Sequence, residues 1–154
     1  MDTIVVGVDG SPGAHEALRW ALTEARLRGA ALRVVHAWMV PFIEAIPEPW
    51  VLGINPPGPP IEKVHETLRQ EAEKVLESSA RDAVEAGDVE VEVELVEGRA
   101  AQKLLEVARP ADLLVVGTRG RGGFAGLLLG SVSQQCAHHA PCPLVIVPSA
   151  EERR

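Results

Sequence analysis

The sequence has little positive charge to offer a polyanion. Its 154 residues include only three lysines, and 15 basic against 22 acidic residues give a formal net charge of −7. Nucleic-acid binding requires clustered Lys and Arg to neutralise phosphates, so no nucleic-acid partner is expected. The arginines are scattered, except for Arg119 and Arg121, which share one glycine-rich segment. A small anion is therefore the better expectation.

Long hydrophobic runs and a targeting segment are also missing. No apolar run approaches the roughly 20 residues that a membrane span needs, so no membrane partner is expected. The opening MDTIVVGVDG has an acidic residue at position 2 and no basic flank or small-residue cleavage site, which argues against a secretory signal. Cysteine is scarce, and the spacing of Cys136 and Cys142 matches no zinc pattern, which favours buried, reduced thiols. The expected compartment is the cytoplasm.

Low-complexity sequence is absent as well. The composition, 46% apolar and 24% charged, is that of an ordinary globular protein and predicts one domain over 1–150, followed by a charged tail at 151–154. Seven of the twelve prolines lie within 39–60, so the segment 41–60 is expected to be a proline-rich loop. Its apolar residues fit either a flap beside a ligand site or a subunit contact, and a plain surface loop fits equally well.

Strand and helix patterns alternate along the chain. Ser11 is a natural N-cap for the first helix, Pro12 suits its first position and Gly29 its end. The Val/Glu alternation after residue 88 predicts a strand with one solvated face, which belongs at a sheet edge. The predicted strands are 3–9, 31–38, 88–98, 111–118 and 142–148, and the predicted helices are 11–29, 61–87, 100–110 and 131–140.

This alternation predicts an α/β protein, a three-layer α/β/α sandwich around an open five-stranded parallel sheet. Ligands of such sheets bind outside the carboxyl ends of the strands. Two predicted strands end there in unusual sequences, the first in GVDGS and the fourth in GTRGRGG. If these strands are neighbours, their loops face each other across one crevice.

The glycines after the fourth strand favour a phosphate site. Glycine lets backbone N–H groups approach an anion closely, and the start of a helix supplies free N–H donors. Gly130 and Ser131 stand where the last helix should begin; Ser131 can N-cap that helix, and its hydroxyl and that of Ser133 can donate to phosphate. The P-loop pattern fails because no lysine follows residue 110. The dinucleotide pattern fails because Ala125 replaces its third glycine.

The spacing Gly117-x2-Gly120-x9-Gly130-Ser131 instead resembles the ATP-binding motif of the universal stress protein family. VVGVDGS near the start and PLVIVP near the end are similar to the first and last strands of that family, so the resemblance covers essentially the whole chain. It implies a Rossmann-like sheet of the adenine-nucleotide α-hydrolase type. In this sheet the first and fourth strands are central neighbours and the third is an edge.

The resemblance also implies site residues. Ala37 would hold the adenine, Asp9 and Gly117 would lie by the ribose, and the phosphates would lie along the second glycine and the Gly-Ser turn. Asp9 could alternatively cap the first turn, and Arg119 and Arg121 could be solvated loop residues. The candidate nucleotide-binding set is Gly7, Val8, Asp9, Ala37, Val116, Gly117, Thr118, Arg119, Gly120, Arg121, Gly122, Gly123, Gly130, Ser131, Val132 and Ser133.

The resemblance favours binding over catalysis, since the motif supplies binding groups but no recognisable nucleophile and base. The expected ligand is ATP, with or without Mg²⁺, in a stress-response module that regulates an unknown protein partner and hydrolyses ATP slowly at most. Two alternatives remain open: a dimeric interaction module that binds AMP or no nucleotide, and an adenine-nucleotide α-hydrolase. The apolar closing strand, Leu144 to Val147, predicts a homodimer, because the corresponding strand of the family pairs across a two-fold axis.

Overall fold

A computed structural model describes residues 2–40, 58–120 and 128–154. Five parallel strands form one sheet in the order β3-β2-β1-β4-β5, which confirms the predicted α/β fold. The elements are β1 (Thr3–Gly7), α1 (Pro12–Arg28), β2 (Ala31–Trp38), α2 (Ile61–Ala86), β3 (Val91–Glu97), α3 (Ala100–Val107), β4 (Leu113–Gly117), α4 (Ser131–His139) and β5 (Leu144–Val147). The predicted loop 41–60 lies outside the described residues up to residue 57.

The adjacent strands β1 and β4 are the most deeply buried ones. Ile4, Val5 and Val6 of β1 are fully buried, and in β4 Leu114 and Val115 are too. Their side chains alternate between the two faces of the sheet. Helices α1 and α2 cover one face and helices α3 and α4 the other, which gives the three predicted layers. β1 and β4 are paired neighbours, so the loops that follow them lie at the same sheet edge.

The first helix begins and ends as its sequence predicts. Ser11 is the N-cap, its Oγ accepts a hydrogen bond from the N–H of Ala14 (3.2 Å), and Pro12 opens the helix. Gly29 ends it in the left-handed conformation at φ 64°. The left-handed conformation costs a residue with a Cβ but not glycine, so both boundaries follow from local chemistry.

β3 lies at the predicted edge, but its two faces are less distinct than the Val/Glu alternation indicates. Val93 is 48% exposed although it is apolar, whereas the side chain of Glu94 is half-buried. Arg33 on the neighbouring strand bonds Glu92 at 3.0 Å and approaches Glu94 at 3.9 Å. These ion pairs connect β2 to β3. The positive charge of Arg33 compensates the carboxylate of Glu94, which explains why an acidic side chain is half-buried there.

None of the described helices combines the length and apolar character needed to cross a membrane. Both cysteines are free thiols; Cys136 is buried as predicted, whereas Cys142 is only half-buried.

Candidate functional site

A cavity of about 420 Å³ opens at the carboxyl ends of β1, β2 and β4, on the side of α3 and α4. Twelve of the sixteen predicted site residues line it. They are Gly7, Val8, Asp9, Ala37, Val116, Gly117, Arg119, Gly120, Gly130, Ser131, Val132 and Ser133. The fold therefore brings together residues that are more than 120 positions apart in sequence.

The other four predicted site residues are not among the lining residues that the structure describes. Thr118 is not among the lining residues, because its N–H and its hydroxyl both donate to the carbonyl of Val147, at 3.0 and 3.1 Å. Its side chain ties the end of β4 to β5. Arg121, Gly122 and Gly123 lie outside the described residues.

Sequence reasoning missed seven lining residues. Ser11 belongs to the GVDGS segment at the end of the first predicted strand, and that segment is a signal by which it could be found. The α3 residues have no motif and reach the cavity only because α3 packs beside β2 and α4. The missed set is Ser11, Ala14, Val35, Ala100, Leu104, Leu129 and Gln134.

The N-terminus of α4 faces this cavity without a capping side chain. The helix begins at Ser131, and its N-cap is Gly130 in an extended conformation, which has no side chain to accept a bond. The prediction that Ser131 is the N-cap was therefore wrong by one position. The first backbone N–H groups of a helix have no intrahelical acceptor and carry partial positive charge, so this end is suited to an anion.

Ser133 supports this helix end through its side chain. It is only 2% exposed, and its hydroxyl lies 2.6 Å from the carbonyl of Thr118 and 3.1 Å from that of Gly130. A serine hydroxyl has one proton, which these carbonyls compete for. The hydroxyl thus holds the turn between β4 and α4 and has no proton left to donate to a ligand in this arrangement.

The start of α1, at the same sheet edge, is by contrast satisfied by its own neighbours. Asp9 Oδ1 accepts from the N–H of Ser11 at 2.9 Å, and Ser11 in turn caps the helix. A Cβ placed on Gly120 would collide with the other carboxylate oxygen of Asp9. Asp9 thus both braces the first turn and adjoins the glycine loop, so the two alternatives for this residue are compatible.

Two contacts fix the groups on either side of the cavity. His36 Nδ1 lies 2.7 Å from the carbonyl of Val8 and ties β2 to the end of β1 next to Ala37. Arg119 Nε donates to Glu152 Oε1 at 2.5 Å, which brings residues after β5 to the cavity wall. Burial raises the pKa of the Glu152 carboxyl, but hydrogen bonds from the Ser149 N–H and Arg119 outweigh it and leave this pKa lowered.

Comparisons with known proteins agree with this architecture. Residues 1–148 match the family model described as the universal stress protein family, and the chain belongs to this family. Universal stress protein Rv1996 of Mycobacterium tuberculosis is 36% identical over 152 residues, covering 94% of this chain and 47% of the relative. The chain thus spans about half the length of the curated relatives it matches.

Solved structures share the fold along nearly the whole chain. The UspA protein from Lactobacillus plantarum superimposes with a TM-score of 0.76 at 19% identity, covering 95% of this chain and 97% of that one. A universal stress protein crystallised in complex with cAMP has a TM-score of 0.65 at 29% identity, covering 97% and 98%. These matches support the sheet order and the layers described above.

Proposed function

We propose that the chain binds an adenine nucleotide in the cavity at the ends of β1 and β4, with its phosphates at the N-terminus of α4. The observation that carries this proposal is the contrast between two helix ends at one sheet edge. The N-terminus of α1 is capped by Ser11, whereas that of α4 has only Gly130 before it and opens into the cavity. Free N–H groups and the helix dipole then favour a phosphate at Ser131 and Val132.

The remaining cavity wall suits a nucleoside. Its inner part is apolar and would receive the adenine, with Val8, Val35, Ala37, Leu104 and Val116 around it. A carboxylate accepts hydrogen bonds from ribose hydroxyls, and Asp9 is the only carboxylate among the described lining residues. The adenine would therefore contact an apolar wall, the ribose a hydrogen-bond acceptor and the phosphates a set of N–H donors.

The proposed nucleotide is ATP, with or without Mg²⁺. The metal ion would bind through the phosphates. Among the residues that the structure describes, no three His, Cys, Asp or Glu side chains lie together as a metal cluster. Asp9 would then supply a protein ligand, and phosphates and water would complete the coordination shell, as is common for Mg²⁺. The relative solved with cAMP supports an adenine nucleotide, although cAMP carries a single phosphate.

We further propose that nucleotide occupancy serves regulation, with slow ATP hydrolysis at most. A phosphoryl-transfer enzyme needs metal, a positioned nucleophile or base, and charge stabilisation at the leaving group. The described cavity wall offers one carboxylate, Asp9, and its Oδ1 already accepts from Ser11. This wall is therefore suited to binding, and we propose that a homodimer or a regulatory protein partner responds to it.

The direct test is to denature freshly purified protein, identify any released nucleotide by chromatography, and titrate nucleotide-free protein with ATP and AMP by calorimetry, with and without Mg²⁺. Gly130→Val is the sharpest variant. A Cβ at Gly130 would make ordinary van der Waals contact, with its nearest neighbour, Arg119 Cα, at 3.4 Å, so a side chain can begin there without a backbone clash. We expect a native circular dichroism spectrum and at least a tenfold loss of ATP affinity.

The matched control is Ala140→Val, which also introduces a valine but adds two carbon atoms in place of three; it lies immediately after the other end of α4 and outside the cavity. It should bind ATP like the wild type. Retained affinity in Gly130→Val would remove the start of α4 from the site. Tighter binding of AMP than of ATP would instead favour the monophosphate-binding alternative.

A further inference from the structure

The residues that follow β5 reach the wall of the proposed nucleotide cavity. Arg119 lines the cavity, and its Nε donates to Glu152 Oε1 at 2.5 Å. The pair is largely shielded from solvent, with side-chain exposures of 27% and 16%. Sequence patterns predict only a charged tail at 151–154, yet Glu152 hydrogen-bonds Arg119 in the cavity wall.

Glu152 is itself held in a tight turn at 149–152. Its second carboxylate oxygen accepts from the N–H of Ser149 at 2.8 Å, and its own N–H donates to the carbonyl of Ser149 at 3.1 Å. The next residue, Arg153, lies 3.3 Å from Glu16 of α1. Glu152 therefore links the order of this turn to the position of Arg119.

We propose that Glu152 is an internal counterion that competes with the phosphates of the nucleotide for Arg119, so that phosphate binding releases the turn at 149–152. This inference rests on the proposed function. Carboxylate and phosphate engage a guanidinium through the same charge-assisted hydrogen bonds. A phosphate at the start of α4 would lie along the same wall as Arg119, whose Cα is 3.4 Å from a Cβ placed on Gly130, and each further phosphate adds negative charge to this wall.

Release of the turn would change a second surface of the protein. Ser149, Ala150 and Glu151 line a separate cavity of about 600 Å³ between the start of α1 and the middle of α2. Loss of the Glu152 contact removes the carboxylate that bonds the Ser149 N–H, so this wall loosens with it. Nucleotide occupancy on the α4 side would thereby be sensed on the α2 side of the sheet.

The test compares ATP with adenosine, which fills the nucleoside part of the cavity but carries no phosphate. The readout is the amide exchange rate of Ser149 measured by NMR, together with the Nε–H signal of Arg119. We expect saturating ATP to raise the Ser149 exchange rate at least tenfold and to shift the Arg119 signal. Saturating adenosine should leave the Ser149 rate unchanged.

Glu152→Gln removes the competing charge, so its affinity for ATP should rise by at least about two- to fivefold, the range for an exposed ion pair and therefore a lower bound for this shielded one, while its affinity for adenosine stays the same. Glu151→Gln is the matched control. It changes the net charge equally, one residue away, and Glu151 does not line the nucleotide cavity. It should bind ATP like the wild type.

The outcomes separate this inference from the function on which it rests. If ATP binds and the Ser149 amide stays protected, or if Glu152→Gln binds ATP no better than Glu151→Gln, the counterion role is wrong and the nucleotide site stands. If neither ATP nor adenosine binds to the wild type, the proposed function falls and this inference falls with it.

Discussion

The backbone of Gly117, the last residue of β4, lies directly against the backbone of Gly13 in the first turn of α1. A Cβ on Gly117 would lie 2.8 Å from both the carbonyl carbon and the carbonyl oxygen of Gly13. A Cβ on Gly13 would in turn lie 2.8 Å from the carbonyl oxygen of Arg119. The first glycine of the motif thus has a packing role, the close approach of helix to strand, beside any role toward a ligand.

This contact predicts that Gly117→Ala destabilises the protein. The new methyl group meets backbone and not a movable side chain, so α1 or β4 must shift, at a cost of about 1–3 kcal/mol. Urea unfolding followed by circular dichroism measures it. Gly13→Ala also places a methyl group between α1 and the end of β4, so it forces the same two elements apart. The double variant should therefore lose less stability than the sum of the losses in the two single variants. Wild-type stability in Gly117→Ala would contradict the close approach.

Ser131 and Ser133, two residues apart in α4, should respond differently to alanine. Ser133 is buried and its hydroxyl bonds the Thr118 carbonyl at 2.6 Å, whereas Ser131 is exposed at the cavity. Ser133→Ala should cost about 1 kcal/mol of unfolding free energy, the usual value of a lost hydrogen bond. Ser131→Ala should change stability by less than about 0.5 kcal/mol.

The same two variants separate a structural serine from a binding one. Ser131→Ala should weaken ATP binding, because its hydroxyl adjoins the free N–H groups of α4. Chemical denaturation and calorimetry on both variants give the two readouts. Equal losses of stability would show that the bond between Ser133 and Thr118 is not formed in solution.

The fold was predictable because its core follows simple patterns. The unbroken apolar runs that contain Ile4 to Val6 and Leu113 to Val116 can be buried only between two helical layers, and the structure places them in the central strands. The boundaries of α1 follow from the cap at Ser11 and the glycine at position 29. Local chemistry and burial both act within a few residues, which is why sequence patterns reveal them.

The site was predictable only where a motif marks it. Ala100 and Leu104 enter the cavity through the packing of α3, a three-dimensional relation that leaves no local pattern. Glu152 looks like part of a solvated charged end, and its partner Arg119 is 33 residues away. Which serine of α4 donates to backbone depends on the exact start of the helix, a boundary that sequence patterns define to within one or two residues.

Cys136 should react with thiol reagents more slowly than Cys142, and its ionisation should lower the stability of the fold at alkaline pH. Burial raises its pKa from 9.0 to about 11. The unfolded thiol ionises first as the pH rises, so stability present below pH 9.0 is lost progressively up to about pH 11. At pH 8, a thiol reagent should modify the half-buried Cys142 first and reach Cys136 only as the protein unfolds.

The pH test needs a matched variant that lacks only this thiol. Cys136→Ala removes it and leaves every other ionisable side chain of the chain in place. Its unfolding free energy should fall less steeply between pH 9 and 11 than that of the wild type. Equal slopes would show that Cys136 is no more protected from ionisation when folded than when unfolded.

The backbone N–H of Ile146 provides a test of whether the proposed homodimer forms through β5. The carbonyls of Pro143 and Val147 accept bonds from the neighbouring Leu114 and Thr118, at 2.9 and 3.0 Å. Backbone groups alternate in direction along a strand, so the N–H of Ile146 points away from β4, toward the edge at which the described sheet ends. Proline cannot donate there, but it leaves the bonds to β4 in place.

We therefore expect Ile146→Pro to be a monomer by sedimentation equilibrium at tens of micromolar, with a native circular dichroism spectrum, whereas the wild type sediments as a dimer. Ile146→Val retains the N–H and a branched apolar side chain, so it should remain dimeric. A monomeric wild type would contradict the dimer itself. A dimeric Ile146→Pro would instead move the interface away from the β5 edge, because a strand paired at this edge would lose the N–H of Ile146 as a donor.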